Sequence, residues 1–548
     1  MKNKFKPALL IILPVCLVFL SLLLRNTKGP YFLNIHYDPG YVYLINSLNF
    51  AQFSGYGTGF LDHPGIPLQL FGAFSVKICH LISGYNSDIA LDVLARPDHY
   101  MNFINSALIL LNSLILLFFG WSVYKLYNNV ILAIFFQLTP FSAFNAFYEL
   151  SDVSAENFLL MIYILFILTA LRYSENLKKG KPDKQFLYLI AFSVLTGIGI
   201  ANKLNFAPFI FIPLMLLNKN SLKLSYLIIS FILFLICIYP GFNNIKGISD
   251  WFISIISNNG IYSNSNFEAY GSPDYIMNLM KIFSEDIFFA IVFFLILILF
   301  LFNIFRSPAK GISRFENVMD FYLNNKILTA VFIIMNLEFL LLLKKFSHHY
   351  IFPSLILSVT GLILCIQNVY REFPLFAAKM RLQSAYLAVI ILIVSFQFFN
   401  YRDHFIKYDL ERIEALKLNE FIENNFPAAV LISGYGSSNE IYSKNYLTYW
   451  SGSQTGRYKN ILHKEYPDNL FYEYWSTNIF GFSESSELTD IKELMLSGNQ
   501  LLFQTNNMSN AESLVKNLRE VYGLNVTGIK KIYENSCGEL VYQINIVS

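Results

Sequence analysis

Residues 286–305 read DIFFAIVFFLILILFLFNIF, and this stretch decides the class of fold. After Asp286 it contains no charged residue. A helix needs about 20 mostly apolar residues to cross the hydrocarbon core of a bilayer, and this stretch is long enough to do so. The segment is therefore typical of a transmembrane helix.

Other apolar stretches repeat the pattern along the first 400 residues. A weaker stretch, 66–82, contains Lys77 and His80 and is predicted to be an interfacial or re-entrant helix. Together the strong stretches predict about eleven transmembrane helices, of which the fifth and sixth are the shortest. They cover residues 8–24, 102–124, 129–147, 156–173, 186–201, 206–218, 224–241, 286–305, 327–343, 350–366 and 385–400.

The composition excludes several classes of protein. The chain has 548 residues, of which 55% are hydrophobic and 14% charged, whereas soluble domains carry about 25% charged residues. A net charge of +3 provides no basic surface for nucleic acid. The five cysteines are scattered, so no disulfide framework or cysteine metal cluster is expected. With these classes excluded, the composition indicates a polytopic membrane protein.

The charges divide the chain into two predicted domains. Residues 1–400 hold 27 Lys and Arg with 19 Asp and Glu, whereas the last 148 residues hold 13 and 18. We predict an all-α membrane domain over 1–400 and a soluble domain over 401–548. In the soluble part the pattern predicts helix 409–425, strand AVLIS, helix 488–497, strand LLFQT, helix 510–522 and a closing strand pair near 529–547. These elements form a small α/β domain.

The distribution of basic residues predicts the topology. With the N-terminus MKNKFK in the cytoplasm, the inner segments carry 18 Lys and Arg and the outer ones 9. This agrees with the positive-inside rule. Eleven spans then place the C-terminal domain outside, in a multi-pass protein of the plasma (inner) membrane. Most acidic residues of the first 400 fall on the outer face, where we expect the chemistry.

The first outer segment, 26–101, contains two candidate sites. Asp38 stands in YDPGY, and DHPG at 62–65 adds a carboxylate and the imidazole of His63. Long irregular loops are usually functional or disordered, and this one has the aromatic, glycine-rich composition of a folded lid. The alternative for Asp38 is an ordinary turn residue before proline.

The second outer loop, FNAFYELSDVSAEN, is acidic. Glu149, Asp152 and Glu156 have the spacing of one helix face. Such a face could bind a divalent cation through Glu149 and Asp152, or orient a hydroxyl group. The alternative is the solvated, capped start of a helix, with Ser151 or Asp152 as the N-cap.

Two basic segments follow on the outer side. Lys203 lies in ANKLNFAP between two short spans, and KKFSHHYIFPS contributes Lys345, His348, His349 and Tyr350. These groups suit the phosphate or pyrophosphate head group of a lipid. The alternatives are a snorkelling lysine and an interfacial belt of aromatic and basic residues.

Taken in order, these segments resemble the GT-C superfamily of polytopic glycosyltransferases. The nearest resemblance is to bacterial lipid A aminoarabinose transferases and protein O-mannosyltransferases. It covers about residues 8–365 and rests on five segments in the expected order: YDPGY, HPGIPLQ, ELSD, ANKLNFAP and HHYIFPS.

The resemblance implies transfer of a sugar from a polyprenyl-phosphate donor to an acceptor hydroxyl outside the membrane. The acceptor would be a lipid, a glycan or a protein of the cell envelope. By this resemblance Asp38 is the base or the residue that orients it, and Glu149 and Asp152 orient the acceptor or bind Mg²⁺ or Mn²⁺. The expected substrate-binding residues are His63, Lys203, Lys345, His348, His349 and Tyr350. A single displacement would invert the anomeric configuration.

Two other functions stay open at this point. A transporter or flippase for lipid-linked sugars is favoured by Glu338, a carboxylate within the ninth predicted span. However, the sequence lacks the internal repeat that transporters commonly show. A non-catalytic scaffold does not explain the predicted burial of Lys203 or the clustering of acidic residues on the outer face.

Overall fold

The computed structural model describes residues 7–34, 37–53, 58–60, 65–180, 184–257, 273–305, 313–342, 348–372, 381–473, 478–482, 488–497 and 500–547. The contacts divide the chain into two units. Unit 1 comprises Met1–Leu22, Asp62–Leu68 and Asn105–Arg402; unit 2 comprises Leu23–Leu61, Gln69–Ile104 and Asp403–Ser548. Most of the predicted first outer segment thus belongs to the same unit as the C-terminal region. The predicted boundary near residue 400 concerns the bilayer and stays a prediction.

Helices form most of the described chain. In chain order they are α1 (Ile12–Lys28), α2 (Tyr37–Phe53), α3 (Ile66–Ser83), α4 (Ile89–Ala95), α5 (Pro97–Tyr127), α6 (Val130–Gln137), α7 (Phe144–Tyr148), α8 (Ala155–Lys178), α9 (Gln185–Asn202), α10 (Phe211–Leu216), α11 (Asn220–Ile238), α12 (Ile245–Ser257), α13 (Pro273–Glu285), α14 (Ile287–Phe305), α15 (Arg314–Asn324), α16 (Lys326–Leu342), α17 (Phe352–Glu372), α18 (Leu382–Asn425), α19 (Glu440–Tyr449), α20 (Thr455–Glu465), α21 (Leu488–Ser497) and α22 (Met508–Glu520).

Many of these helices have the length and composition of membrane spans. Within the described ranges, nine are long and apolar enough to cross a bilayer. A tenth is added if the bent pair Val318–Asn324 and Lys326–Leu340, with an angle of 98° between its halves, counts as one span. The chain is therefore an integral membrane protein, as its composition predicts.

Within the described residues, eight of the eleven predicted spans are single membrane-length helices, α3 is the ninth such helix, and the bent pair that covers span 327–343 is the tenth if it counts as one. Predicted spans 129–147 and 206–218 are not single membrane-length helices. Segment 129–147 is divided into α6, a 3₁₀ turn at Thr139–Phe141 and α7. Segment 206–218 begins with a 3₁₀ turn, Leu204–Ile210, and continues only as the short α10. The physical reason is proline: Pro140 and Pro208 lack the N–H that a continuous helix would use.

The weaker stretch near residue 66 is a regular helix. α3 has 18 residues and also has the length and apolar composition of a span. Its placement in or on the membrane stays a prediction.

A six-stranded sheet forms the core of the C-terminal part of unit 2. Its strands are β1 (Val430–Gly434), β2 (Leu470–Tyr472), β3 (Ile479–Phe480), β4 (Leu501–Thr505), β5 (Asn525–Glu534) and β6 (Leu540–Val547), in the order β3-β2-β1-β4-β6-β5. β1 is parallel to β2 and β4, and the remaining pairs are antiparallel. The predicted α/β fold is confirmed, and β2, β3, α19 and α20 are additional to it.

Both faces of this sheet are covered. On one face Ile432 and Phe503 pack with Leu514 and Leu518 of α22. On the other face Leu502 and Val541 pack with Leu418 of α18. Strands covered on both sides explain the unbroken apolar runs VLI and LLF.

In unit 2, α2 is bonded to the C-terminal helices by a buried amide. Asn49 Nδ2 donates to the carbonyl oxygen of Ser451 at 3.0 Å. The hydroxyl of Tyr458 on α20 donates to Asn49 Oδ1 at 2.7 Å. Because both ends of a buried amide are satisfied, this contact fixes α2 in register with α19 and α20.

Candidate functional site

The acidic second loop, in unit 1, is not the helix face that its spacing predicts. Glu149 begins a 3₁₀ turn, Glu149–Ser151, and Asp152 has extended backbone angles (φ −126°, ψ 161°). α8 starts only after Ser154, whose hydroxyl accepts from the N–H of Asn157 at 3.2 Å and caps the helix. The prediction that three carboxylates share one face is wrong, because the chain is extended between the first and the third of them.

Buried asparagines hold this loop in place. Asn157 on α8 donates to the carbonyl oxygens of Asp152 at 2.8 Å and Leu150 at 3.2 Å. Asn105 on α5 donates to the carbonyl oxygen of Ser151 at 3.0 Å. These bonds satisfy backbone carbonyls in a loop that has few bonds of its own. As a result, Glu149 and Asp152 are carried by a fixed segment.

The third acid of the loop, Glu156, forms an ion pair with Lys203. Their side chains are only 3% and 5% exposed, and the ammonium group donates directly to the carboxylate. Lys203 directly follows α9, where Asn202 donates to the carbonyl oxygen of Ala155 at 3.0 Å. The two helix ends that carry the pair are therefore tied together by a second bond.

The segment before α3 reaches the same place. The N–H of Leu68 donates to Asn202 Oδ1 at 3.3 Å. This contact brings the end of the HPGIPL stretch beside Asn202, the residue before Lys203. His63 itself lies outside the described residues.

An aromatic ring lies next to the buried lysine. Lys203 Nζ is 5.3 Å from the centre of the Tyr350 ring, within range of a cation–π interaction. Tyr350 belongs to the 3₁₀ turn His348–Tyr350 and contacts the ring of His349 at 4.3 Å. The side chain of His348 and the whole of Lys345 lie outside the described part of the chain. Unit 1 thus brings together Lys203, Tyr350 and His349 of the predicted set.

Asp38 occupies a different setting, in unit 2. It lies at the start of α2, where its backbone is extended (φ −100°, ψ 123°), and its side chain is exposed. The hydroxyl of Tyr446 on α19 donates a hydrogen bond to the Asp38 carboxylate. Burial first, and then the charge of Asp38, raises the pKa of Tyr446, so this phenol keeps its proton.

Tyr435 is the second phenol beside Asp38. It directly follows β1, and its pKa is raised by burial and by the nearby Asp38 charge. Tyr435 remains 38% exposed, and Asp38 itself is exposed. The Asp38 carboxylate is therefore accessible to water while two phenols lie beside it. A carboxylate of this kind can accept a proton from a hydroxyl group that enters from solution.

A row of aromatic rings continues from these two phenols. The centroid distances are 6.3 Å from Tyr435 to Tyr446, 6.2 Å from Tyr446 to Trp450, 5.6 Å from Trp450 to Phe60 and 5.4 Å from Phe60 to Tyr43. We call these five residues the aromatic row. It joins the first outer segment to α19 within unit 2.

One buried amide and one glycine keep the row together. Asn46 Oδ1 accepts from the N–H of Gly59 at 2.8 Å and of Phe60 at 3.2 Å, while its Nδ2 donates to the carbonyl oxygen of Trp450 at 3.0 Å. A Cβ atom at Gly59 would stand 2.2 Å from that same oxygen. Only glycine allows this approach of the two backbones.

The predicted divalent cation has few ligands here. In the residues that the structure describes, no group of three or more His, Cys, Asp and Glu is arranged to hold a metal. Glu149 and Asp152 supply two carboxylates, and Mg²⁺ is commonly held by one or two carboxylates together with water and substrate phosphate. Metal binding stays a prediction.

Sequence reasoning missed three residues of these sites. It noticed Glu156 only as one of three acids, and it assigned no role to Tyr435 or Tyr446. The signal for Tyr435 is its place in GYGSS directly after strand β1, where ligand-binding residues of α/β sheets are found. Tyr446 carries no comparable signal, since its relation to Asp38 depends on the packing of α19.

Of the comparisons with known proteins, only the comparison with solved structures gives a match. No family model matches the chain, and no curated protein matches its sequence. Among solved structures, the crystal structure of ArnT from Cupriavidus metallidurans in the apo state is similar at 10% sequence identity and a TM-score of 0.46, over 96% of this chain and 97% of that one.

Proposed function

We propose that this protein is a glycosyltransferase that moves a sugar from a polyprenyl-phosphate donor to an acceptor hydroxyl on the outer side of the membrane. The observation that carries the proposal is Asp38: an exposed carboxylate, bonded by a phenol and flanked by aromatic rings, in a chain rich in membrane-length helices. The order of the motifs around it supports the same class of enzyme. The membrane would be the plasma (inner) membrane, with the N-terminus in the cytoplasm.

Asp38 acts as the base in this proposal. The acceptor oxygen attacks the anomeric carbon of the donor sugar while its proton passes to the Asp38 carboxylate. The bond from the anomeric carbon to the phosphate oxygen breaks, and its electron pair leaves with the polyprenyl phosphate. Because one displacement occurs, the anomeric configuration inverts.

Lys203 acts on the leaving phosphate. An ammonium group has three N–H donors. The bond to Glu156 uses one of them and fixes the position of the nitrogen. The other donors then stabilise negative charge that grows on the phosphate as the bond breaks. His349 and Tyr350 stand beside this lysine and would border the same head group.

The test is a transfer assay with the full chain in lipid nanodiscs. Mass spectrometry of envelope glycans and glycolipids from cells with and without the gene first names the sugar and the acceptor. The purified protein is then given that polyprenyl-phosphate sugar and acceptor, and the anomeric configuration of the product is read by NMR. Glycosylated acceptor with inverted configuration is expected. Unchanged glycans in the cells, together with no transfer in nanodiscs, would refute the proposal.

One observation favours transport as the second candidate function. Glu338 on α16 is 2% exposed and accepts a hydrogen bond from Ser354 on α17. A buried carboxylate inside a membrane helix is a common element of proton-coupled transport. Trapping of the lipid-linked sugar on the inner leaflet in cells that lack the gene would favour this function over transfer.

A further inference from the structure

The strands of the C-terminal sheet define a position where ligands commonly bind. The helices after β1 lead to β2 on one side, whereas the helix after β4 leads toward β5 and β6 on the other. The ends of β1 and β4 therefore form the point at which the direction of the connections reverses. In open α/β sheets, ligands bind outside the carboxyl ends of the strands at such a point.

The two loops at this point are in close contact. Gly436, two residues after β1, has φ +83° and lies against the side chain of Asn506, directly after β4. A Cβ atom at Gly436 would stand 2.0 Å from Asn506 Nδ2. This close packing fixes the loop that presents Tyr435.

Asp38 and the aromatic row lie at this same place. Tyr435 comes directly after β1, its ring centroid lies 6.3 Å from that of Tyr446 on α19, and both phenols lie near the Asp38 carboxylate. The rings of Trp450 and Phe60 continue the surface. A carboxylate beside part-exposed rings has the chemistry that recognises a sugar: the rings cover the apolar face of a pyranose, and the carboxylate accepts from its hydroxyls.

We infer that the C-terminal α/β domain binds the acceptor, and that this acceptor is a carbohydrate whose pyranose ring stacks on Tyr435 and its neighbours in the aromatic row. This inference rests on the proposed function, since it names the acceptor for Asp38. It assigns Tyr435 to acceptor binding. Tyr446 becomes a positioning residue that orients the base through its hydrogen bond.

The experiment uses the full chain in nanodiscs and three variants. Tyr435→Ala removes a ring of the row, Tyr446→Phe keeps the ring but removes the hydroxyl, and Tyr449→Ala is the matched control. Tyr449 is 39% exposed, as Tyr435 is 38% exposed, and it lies on α19 with Tyr446. Its ring, however, contacts Phe480, at a centroid distance of 5.9 Å, instead of the aromatic row. KM for acceptor, KM for donor and kcat are measured for each.

For Tyr435→Ala we expect KM for the acceptor to rise about fivefold to tenfold, because the variant loses one good ring contact with the sugar. Its kcat and its KM for donor should stay within twofold of wild type. Tyr446→Phe should lower kcat with little change in either KM, and Tyr449→Ala should behave like wild type. An unchanged acceptor KM in Tyr435→Ala, or an equal rise in Tyr449→Ala, would overturn the inference.

A binding measurement separates this inference from the proposed function. Saturation-transfer NMR is recorded with methyl glucoside, methyl galactoside and methyl mannoside in the absence of donor. Signal transfer in wild type that is lost in Tyr435→Ala and kept in Tyr449→Ala supports a carbohydrate site even if no transfer is found. If none of the three glycosides receives saturation from the wild-type protein, the carbohydrate site is refuted, whatever the transfer assay gives.

Discussion

The two candidate sites use their carboxylates in opposite ways. In unit 1, Glu156 is buried and balances the charge of Lys203. In unit 2, Asp38 is exposed and is bonded by a neutral phenol. A buried carboxylate without its cation is strongly destabilising, whereas an exposed one is readily tolerated. From this comparison we expect loss of the Glu156–Lys203 pair to lower mainly the stability of the fold, and loss of the Asp38 carboxylate to lower mainly the rate of transfer.

The largest expected effect is on turnover in Asp38→Asn. The amide keeps the shape of the side chain but cannot accept a proton, so we expect the transfer rate to fall about 10²-fold to 10⁴-fold, the usual contribution of a general base. Single-turnover assays measure this loss. The unfolding midpoint should stay close to that of wild type, because Asp38 is exposed. A variant that transfers sugar at a normal rate would remove Asp38 from the role of base.

The next effect is on stability in Lys203→Ala. Removing the lysine leaves Glu156 buried without its cation, which typically costs about 3–5 kcal/mol. We expect a large drop in the unfolding midpoint in detergent. Lys203→Met combined with Glu156→Gln removes both charges and keeps the volume, so it should be far more stable than Lys203→Ala.

The same double variant tests the phosphate role. A folded Lys203→Met/Glu156→Gln protein should show a raised KM for the lipid donor and a normal KM for the acceptor. If its donor KM equals that of wild type, the pair supports the fold alone and the phosphate lies elsewhere.

Much of this comparison could be predicted from the sequence, and some could not. Long apolar runs identify α14 and α17, and unbroken apolar strands identify β1 and β4, because each pattern is local. The ion pair of Lys203 with Glu156 depends on how α8 and α9 pack. The bond from Tyr446 to Asp38 joins the first outer segment to the C-terminal region. Neither contact leaves a periodic signal in the chain.

Proline and extended backbone explain the two errors of the sequence reading. Pro140 interrupts the 19-residue apolar segment 129–147, and Pro208 interrupts the 13-residue segment 206–218, which is already short for a span. The spacing from Glu149 to Glu156 fits a helix, but Ser154 caps α8 and leaves Asp152 extended. The spacing of hydrophobic residues alone does not show where a proline or an extended segment interrupts a helix.

A smaller effect is expected in Gly59→Ala, which acts on unit 2. The new methyl group would meet the Trp450 carbonyl oxygen at 2.2 Å and the Gly452 nitrogen at 2.3 Å, so backbone must move. Overpacking of this kind costs about 1–3 kcal/mol. Thermal unfolding followed by Trp fluorescence reports it. Gly528→Ala is the control, because its nearest neighbour is the Asn545 side chain at 3.9 Å; equal losses in both variants would contradict the close approach.

The smallest expected effect is on the pH dependence of stability. Burial raises the pKa of Glu539, although Ser438 N–H at 2.6 Å and Gln504 at 2.7 Å donate to its carboxylate. The folded state therefore holds this proton at a pH where the unfolded state has lost it. Stability from this group is present below the ordinary glutamate pKa and is lost as pH rises through the raised value.

Glu539→Gln removes that contribution. In wild type the free energy of unfolding falls as pH rises from the ordinary to the raised pKa, by on the order of 1 kcal/mol per unit of pKa difference. In the variant this fall should be absent. Unfolding midpoints measured from pH 4 upward check it. A wild-type protein whose midpoint rises or stays level over this window, with the variant parallel to it, would contradict the assigned cause.

The bond from Asn46 to Trp450 also has a consequence for timing during synthesis. Its two partners are 404 residues apart, so a ribosome that adds about 5–20 residues per second makes the second partner roughly 20–80 s after the first. During that interval the nascent protein can already insert its early helices, yet Asp38 has no phenol beside it. Each molecule would thus become competent only when its translation is nearly finished, and chains released early would be inert.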